Sequence, residues 1–348
     1  MVNLTSALGG MAIALTVDRI GHRRLVVLGT ALCCAASLFG AFAGGIAQLL
    51  AWRFIEGLGF ITVTVAVPTL VLRITAMPDR HRAMTLWTAY MPAGAGCMML
   101  IAALVLPISS WRTVWVVAAG ASFIMLVALL LRAVPRRELD ALPVKRRPIL
   151  HEMAEVATSG GPMAIALCFG AYSACWFAVV GFLPTLQVER LGFSTSAAAV
   201  VTAVVTIANV AGNLWAAWLL QRGVPRVAVI AGAAIAMAIC AAGVFTSGVP
   251  DLLRLLLAGL YSAVIGVVPG ALFTALAVHA PRPELIGAST GLLMQGSNLG
   301  ALLGPPITGA LVASNGWPAA AWLTSVALGL VAAAAVFLHW RERRKLAS

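Results

Sequence analysis

Long apolar stretches separated by short charged ones set the pattern of this chain. Eleven apolar runs can be read, at 2–17, 25–44, 46–72, 83–107, 112–132, 161–184, 194–220, 226–247, 251–278, 285–313 and 318–340. Each is close to the ~20 residues that a helix needs to cross a ~30 Å hydrocarbon layer, in which the backbone must satisfy its own hydrogen bonds. The stretch from Leu25 to Leu72 is too long for one crossing and carries Gly44-Gly45 near its middle, which predicts two helices and a tight turn. The two-residue alternation of a transmembrane barrel is absent. The pattern predicts an all-α integral membrane protein with eleven transmembrane helices and the lipid bilayer as its first partner.

Composition agrees, with 61% of the 348 residues hydrophobic, 10% charged and a mean hydropathy of +1.00. The formal net charge of +12 invites a nucleic-acid reading, but the basic residues sit in short clusters between apolar runs and are not interleaved with aromatics. They read instead as topology. Of the 23 basic side chains, all but Arg53, Arg112, Arg190 and Arg254 fall in alternate connectors or at the C-terminus. The positive-inside rule places that majority, and the C-terminus, in the cytoplasm. The preference for arginine over lysine suggests a GC-rich bacterial genome, hence a bacterial inner membrane. No basic leader marks a cleavable signal peptide.

The six cysteines lie inside apolar runs without CxxC spacing, and the histidines lack ligand spacing. No metal and no cofactor are expected. No GxxxxGK[ST] loop is present and no nucleophile with base and orienting partner can be assembled, so neither direct ATP coupling nor an enzyme is expected.

The longest polar insert, Arg132 to Gly161, divides the runs into five and six. It reads as a cytoplasmic linker over 133–160 between an N-terminal bundle, 1–132, and a C-terminal bundle, 161–348. Internal similarity supports the division. Arg19 and Arg23 fall on Arg222 and Arg226 at an offset of 203, and Arg53 and Pro68 on Arg254 and Pro269 at 201. The same offset puts the partner of the run at 161 before Met1, so the first helix of the first half is expected to be missing and the second clipped. A chain built with eleven helices is the alternative.

Two motifs carry a family resemblance. VDRIGHRRLV places Asp18, Arg19, Gly21 and Arg23 between the first two runs, and RFIEGLG spans Arg53 to Gly59. The sequence resembles the major facilitator superfamily of secondary transporters, in its GxLaDRxGRR loop pattern and its RxxxGxG helix pattern. Ala14 stands for the leading glycine of the first pattern and His22 for one late arginine. MPDRHRAM from Met77, SWR to Arg112, FLPTL near Leu183 and LGPPITG from Leu303 also resemble family usage. Gly212 to Arg226 resembles the cyanate and nitroimidazole permease branch. The resemblance implies two pseudo-symmetric helical bundles that rock about a mid-membrane cavity. It also implies that Asp18 acts as a cytoplasmic gate in the outward-facing state. The Gly-Pro pair of the antiporter signature is absent from Pro92 to Met98, which disfavours a drug-efflux antiporter.

The residues themselves suggest the roles. Asp18 can accept hydrogen bonds from a helix N-terminus or an arginine of the other half, while Arg19 and Arg23 serve the same gate or simply bind anionic head groups. Arg53 lies two turns inside an apolar run, where an unpaired cation costs at least ~2.5 kcal/mol. Glu56 is three residues on and can pair with it. The pair is either structural or faces the cavity, where Glu56 would couple protons and Arg53 would favour a small organic or inorganic anion. Tyr90, Tyr172, Trp176, Asn209, Asn213, Gln295 and Asn298 are cavity candidates, each with interhelical bonding as its alternative. The expectation is a monomeric secondary transporter of a small-molecule substrate, with protons as a possible second cargo. The alternatives are a drug or metabolite efflux antiporter, a channel or other non-transporting membrane protein, and an inactive fragment.

Overall fold

The computed structural model describes residues 1–76, 79–131 and 147–347, and among these there is no strand. The helices are α1 (Val2–Ile20), α2 (His22–Ala41), α3 (Ile46–Ile74), α4 (Arg80–Thr88), α5 (Tyr90–Val105), α6 (Trp111–Leu131) and α7 (Ile149–Ala157). They continue with α8 (Gly160–Trp176), α9 (Leu183–Leu191), α10 (Thr195–Gln221), α11 (Arg226–Phe245), α12 (Asp251–Ile265), α13 (Val267–His279), α14 (Ile286–Asn315) and α15 (Pro318–Ala347). The linker residues Arg132, Arg136, Arg137, Lys145 and Arg146 lie outside the described residues, as do Met77 and Pro78 of the MPDRHRAM motif.

Every expected run coincides with a helix or a broken helix, but only nine rods among the described residues are long and apolar enough to cross a membrane. The other two, α1 and α14, are long yet more polar. They carry Thr5, Ser6, Thr16 and Asp18 on one side, and Ser289, Thr290, Gln295, Ser297 and Asn298 on the other. These two helices pack against each other, so a protein partner replaces lipid along their polar faces.

Within the first set, α3 packs on α1 and α2, and α2 on α6; within the second, α8 holds α14 and α15, while α11 packs on α12 and α15. The sets meet along two seams, α1 with α14 and α5 with α10. At the first seam Gly10 faces Gly291, where a Cβ would stand 2.6 Å from the Gly10 carbonyl oxygen. Gln295 Nε2 crosses it, donating to the carbonyls of Ala7 (2.8 Å) and Leu8 (3.2 Å). At the second, Gly96 lies against Ile207 and the Thr206 hydroxyl donates to Met99 Sδ (3.7 Å). The main apolar core runs through α8 to α15. By contrast α6 buries only Ala119, as expected of a helix whose surroundings are lipid.

Two of the four arginines outside the basic clusters close helix ends. Arg112 at the start of α6 donates to the carbonyls of Ala41 (2.9 Å), the last residue of α2, and of Ala43 (3.0 Å) just after it. Arg254, buried in α12, donates to the carbonyls of Val244, Thr246 and Val249 at the end of α11. A helix C-terminus leaves carbonyls without intrahelical donors, and a guanidinium supplies several at once.

Candidate functional site

A cavity of ≈ 260 Å³ lies between the two sets of helices, with walls from α1, α3, α4, α5, α8, α10, α13 and α14. The backbone is irregular beside it. A π-helical turn at Phe177–Gly181 follows α8, and Phe177, Val180 and Gly181 belong to the wall. The α12–α13 break at Gly266 lies against the Asn209 carbonyl, with no room for a Cβ. Wide turns of this kind inside helices recur where a side chain must be re-aimed at a site.

Six of the seven polar residues singled out in the sequence line this cavity: Tyr90, Tyr172, Trp176, Asn209, Asn213 and Asn298. Gln295 does not. It lines a second, apolar groove of ≈ 600 Å³ running along α8, α14 and α15, and its bonds hold the α1–α14 seam. The aromatic wall is ordered by stacking, Trp87 on Tyr90 at 4.4 Å between ring centroids and Phe169 on Tyr172 at 5.1 Å. Asn213 Nδ2 donates to Asn209 Oδ1 (2.8 Å) and to the Asn209 carbonyl (3.1 Å), and Asn298 Nδ2 to the Met294 carbonyl (2.8 Å). No acidic or basic side chain is among the residues lining the cavity.

Sequence reasoning missed Phe60 and Trp87. Trp87 precedes Tyr90 by three residues, a spacing that shares one helical face and could have exposed it.

Arg53 and Glu56 lie elsewhere. Arg53 Nη1 is 2.7 Å from Glu56 Oε2, its guanidinium stands 3.6 Å from the Trp115 ring centroid, and the Ser37 hydroxyl donates to Glu56 Oε1 (3.3 Å). The pair is thus held among α2, α3 and α6, and neither residue lines the cavity or the groove. The ring face and the carboxylate together offset the cost of placing a guanidinium inside an apolar helix. Arg53→Ala is expected to lower the melting temperature more than the Arg53→Met/Glu56→Gln double variant, because the single change leaves a carboxylate without its cation. Equal losses in a thermal-shift double-mutant cycle would contradict a coupled pair.

The opening motif forms the turn between α1 and α2. Gly21 takes φ 112°, a region an L side chain rarely enters. His22 is buried, with Nε2 3.3 Å from Asp18 Oδ1. The other carboxylate oxygen sits on the first turn of α14, 2.5 Å from where a Gly287 Cβ would be. Arg19 donates to the Arg147 carbonyl (2.8 Å) and pairs with Glu152 at 3.3 Å. Arg23 Nε is buried without a hydrogen-bond partner among the described residues.

A helix the sequence reading did not anticipate completes this end. α7 rests on α1, α8 and α14, with Val156 in a cluster containing Met11, Leu15 and Leu292. Its Glu152 reaches Arg19, and its Glu155 accepts two hydrogen bonds of 2.8 Å from Arg282. Those bonds hold the Glu155 carboxyl below the ordinary carboxylate range. A depressed carboxylate pKa makes the contact complete at neutral pH, and it is lost only as pH falls through that lowered value. Both groups are open to solvent, so salt also weakens it.

Two sets of helices therefore meet along close seams with a cavity between them. The chain belongs to the Major Facilitator Superfamily, whose family description matches residues 1–295. It is a multi-pass membrane protein and a secondary transporter rather than an enzyme. The 3-(3-hydroxy-phenyl)propionate transporter of Escherichia coli K12 is 25% identical over 343 residues, covering 97% of this chain and 82% of that protein. A Bacillus subtilis protein named for niacin/nicotinamide transport is 26% identical over 226 residues, 62% of this chain and 54% of its own length. The fold matches the E. coli fucose:proton symporter with a TM-score of 0.74 at 17% identity, over 97% of this chain and 90% of that one.

Proposed function

We propose that the chain moves a small planar aromatic solute across a bacterial inner membrane by alternating access. The observation that carries this is the cavity wall, where stacked aromatic pairs and carboxamides line one space and no charged side chain takes part. Aromatic faces prefer flat, polarizable partners, and such pairs are worth about 0.5–1.5 kcal/mol beyond burial. The names of the hydroxyphenylpropionate and niacin/nicotinamide relatives point the same way. A planar nitroimidazole also suits these walls, whereas linear cyanate offers them little to stack on. A small inorganic anion loses its support, since Arg53 is committed to Glu56 and Trp115.

On this reading residues 1–132 and 161–348 are two half-units joined by the linker at 133–160, α1 and α14 complete eleven crossings, and the basic clusters and C-terminus are cytoplasmic. Asp18 latches α1 to the start of α14 while the cytoplasmic side is closed, and Arg19 reinforces it through α7. Proteoliposomes containing the chain are expected to take up labelled aromatic solutes saturably and to show counterflow, with Trp176→Ala reducing uptake at least about tenfold by removing wall area. Linear, non-saturating flux without counterflow would contradict a carrier.

A further inference from the structure

The apolar groove of ≈ 600 Å³ shares no lining residue with the central cavity. α8 contributes Gly170, Ala171, Ala174 and Ala178 to it. These residues barely project from the backbone, so α8 recedes there between α14 and α15, both of which pack on it. Leu167, Leu299, Leu303 and Leu330 line the same trench and are exposed, so it opens to the surroundings of the helices, which in a membrane are lipid. Its length, from Met163 to Ala178 on α8 and from Leu292 to Ile307 on α14, is about 22 Å at 1.5 Å per residue. The volume spread over that length leaves a cross-section of about 27 Å², room for one hydrocarbon chain and far too narrow for a helix about 10 Å across.

The trench ends in a cation. Leu323, Ala327, Leu330, Phe337 and Arg341 recur at spacings of three, four and seven and form one stripe of α15. The guanidinium of Arg341 lies over the Phe337 ring and against Gly160, the first residue of α8, where a Cβ would collide with Nη1. Among the described residues no carboxylate pairs with Arg341. The adjacent Glu342 is held by Arg226 at 3.1 Å and His279 at 3.2 Å. Arg343 and Arg344 follow and are exposed, so this end of α15 favours negative charge.

We infer that the trench binds one acyl chain of an anionic glycerophospholipid from the leaflet on the arginine-rich side, with Arg341 donating to the lipid phosphate. Bulk lipid tails are as apolar as the trench, so hydrophobicity alone selects nothing there. Selection comes from close packing along a channel one chain wide and from a guanidinium that can give a phosphate two parallel hydrogen bonds. Ala7 and Met11 of α1 also line the trench, so the bound lipid touches both sets of helices beside the α1–α14 seam.

The test is native mass spectrometry with thermal-shift titration of the purified full chain in detergent. Dioleoyl phosphatidylglycerol is expected to stay bound as a one-to-one adduct and to raise the melting temperature. Its affinity should exceed that of dioleoyl phosphatidylcholine at least about fivefold, because choline brings a positive charge to the arginines. Dihexanoyl phosphatidylglycerol, too short to fill the trench, should do neither. Arg341→Gln should weaken phosphatidylglycerol binding about fivefold and reduce the preference over phosphatidylcholine. Ala327→Trp fills the trench while keeping the arginine, and should remove the adduct; if that variant does not fold, Arg341→Gln and the head-group comparison decide. Phosphatidylcholine binding as tightly as phosphatidylglycerol, or either variant binding phosphatidylglycerol as the parent does, overturns the inference. So does a dimer in detergent that Ala327→Trp converts to monomer, since a second copy would then cover the trench. None of these outcomes depends on what the central cavity carries.

Discussion

Replacing Gly300 by valine should leave little folded protein. On α14, Gly296, Gly300 and Gly304 recur every four residues and form one stripe, and α8 lies across it. A Cβ on Gly300 would run into the Gly170 carbonyl, one on Gly296 into the Ala166 carbonyl, and one on Gly304 would come within 2.9 Å of Ala174 Cα. These obstacles are backbone atoms of a packed helix and cannot rotate aside. Lipid tails give helices no hydrophobic reason to associate, so close backbone approach supplies much of the attraction here. Overpacking in a yielding core costs about 1–3 kcal/mol, and a rigid contact belongs at or above the upper end. The expected result is a melting temperature lower by roughly 5–10 °C or more, or no monodisperse peak at all. Gly120→Val on α6, with open space at its Cβ position, should behave as the parent chain. Equal behaviour of the two variants would mean that the stripe is not what holds α14 to α8.

Asp18→Asn should leave the fold intact and disable the cycle. The substitution preserves shape and removes the charge that sits on the first turn of α14 and beside His22. A carboxylate at a helix N-terminus is worth up to ~2 kcal/mol in a partly buried setting, which corresponds to a population shift of roughly 30-fold. The shift should favour separation of α1 from α14 at the arginine-rich end. Ala288, fully buried in the cluster beneath that contact, is a suitable reporter. Maleimide labelling of Ala288→Cys should accelerate in the Asp18→Asn background while solute uptake falls. Unchanged labelling together with unchanged uptake would dismiss the latch.

The positions of the helices were legible because hydropathy records which solvent a segment prefers. The run at 83–107 nonetheless proved to be two helices meeting at Ala89, and the run at 161–184 ends in a π-helical turn. Neither break alters the average hydropathy of its segment. The helix α7 was hidden for another reason, since it sits beside a strongly polar linker that masked a short amphipathic signal. Ile149, Met153 and Val156 do recur at helical spacing, and together with Glu152 and Glu155 they explain why the segment straps α1 to α14.

The cavity was legible to the extent that a polar side chain in a membrane helix must find a partner or a cavity. That reasoning put Tyr90, Tyr172, Trp176, Asn209, Asn213 and Asn298 on the wall. It misplaced Gln295, whose partners are backbone carbonyls of α1 far away in the chain. Arg53 shows the same division. Its near partner Glu56 could be read three residues away, but Trp115 and Ser37 come from other helices and turn a candidate coupling site into an anchored pair.

By itself, the sequence determined the solvent, the approximate positions of the apolar segments, the grouping of basic residues on alternate connectors and the turn from Asp18 to Arg23, since these depend on transfer free energies and local spacing. Only the tertiary structure decided which face of each helix meets lipid, a neighbour or the cavity. Those rotations are set by where small residues let two backbones touch, and each such contact needs both helices in place.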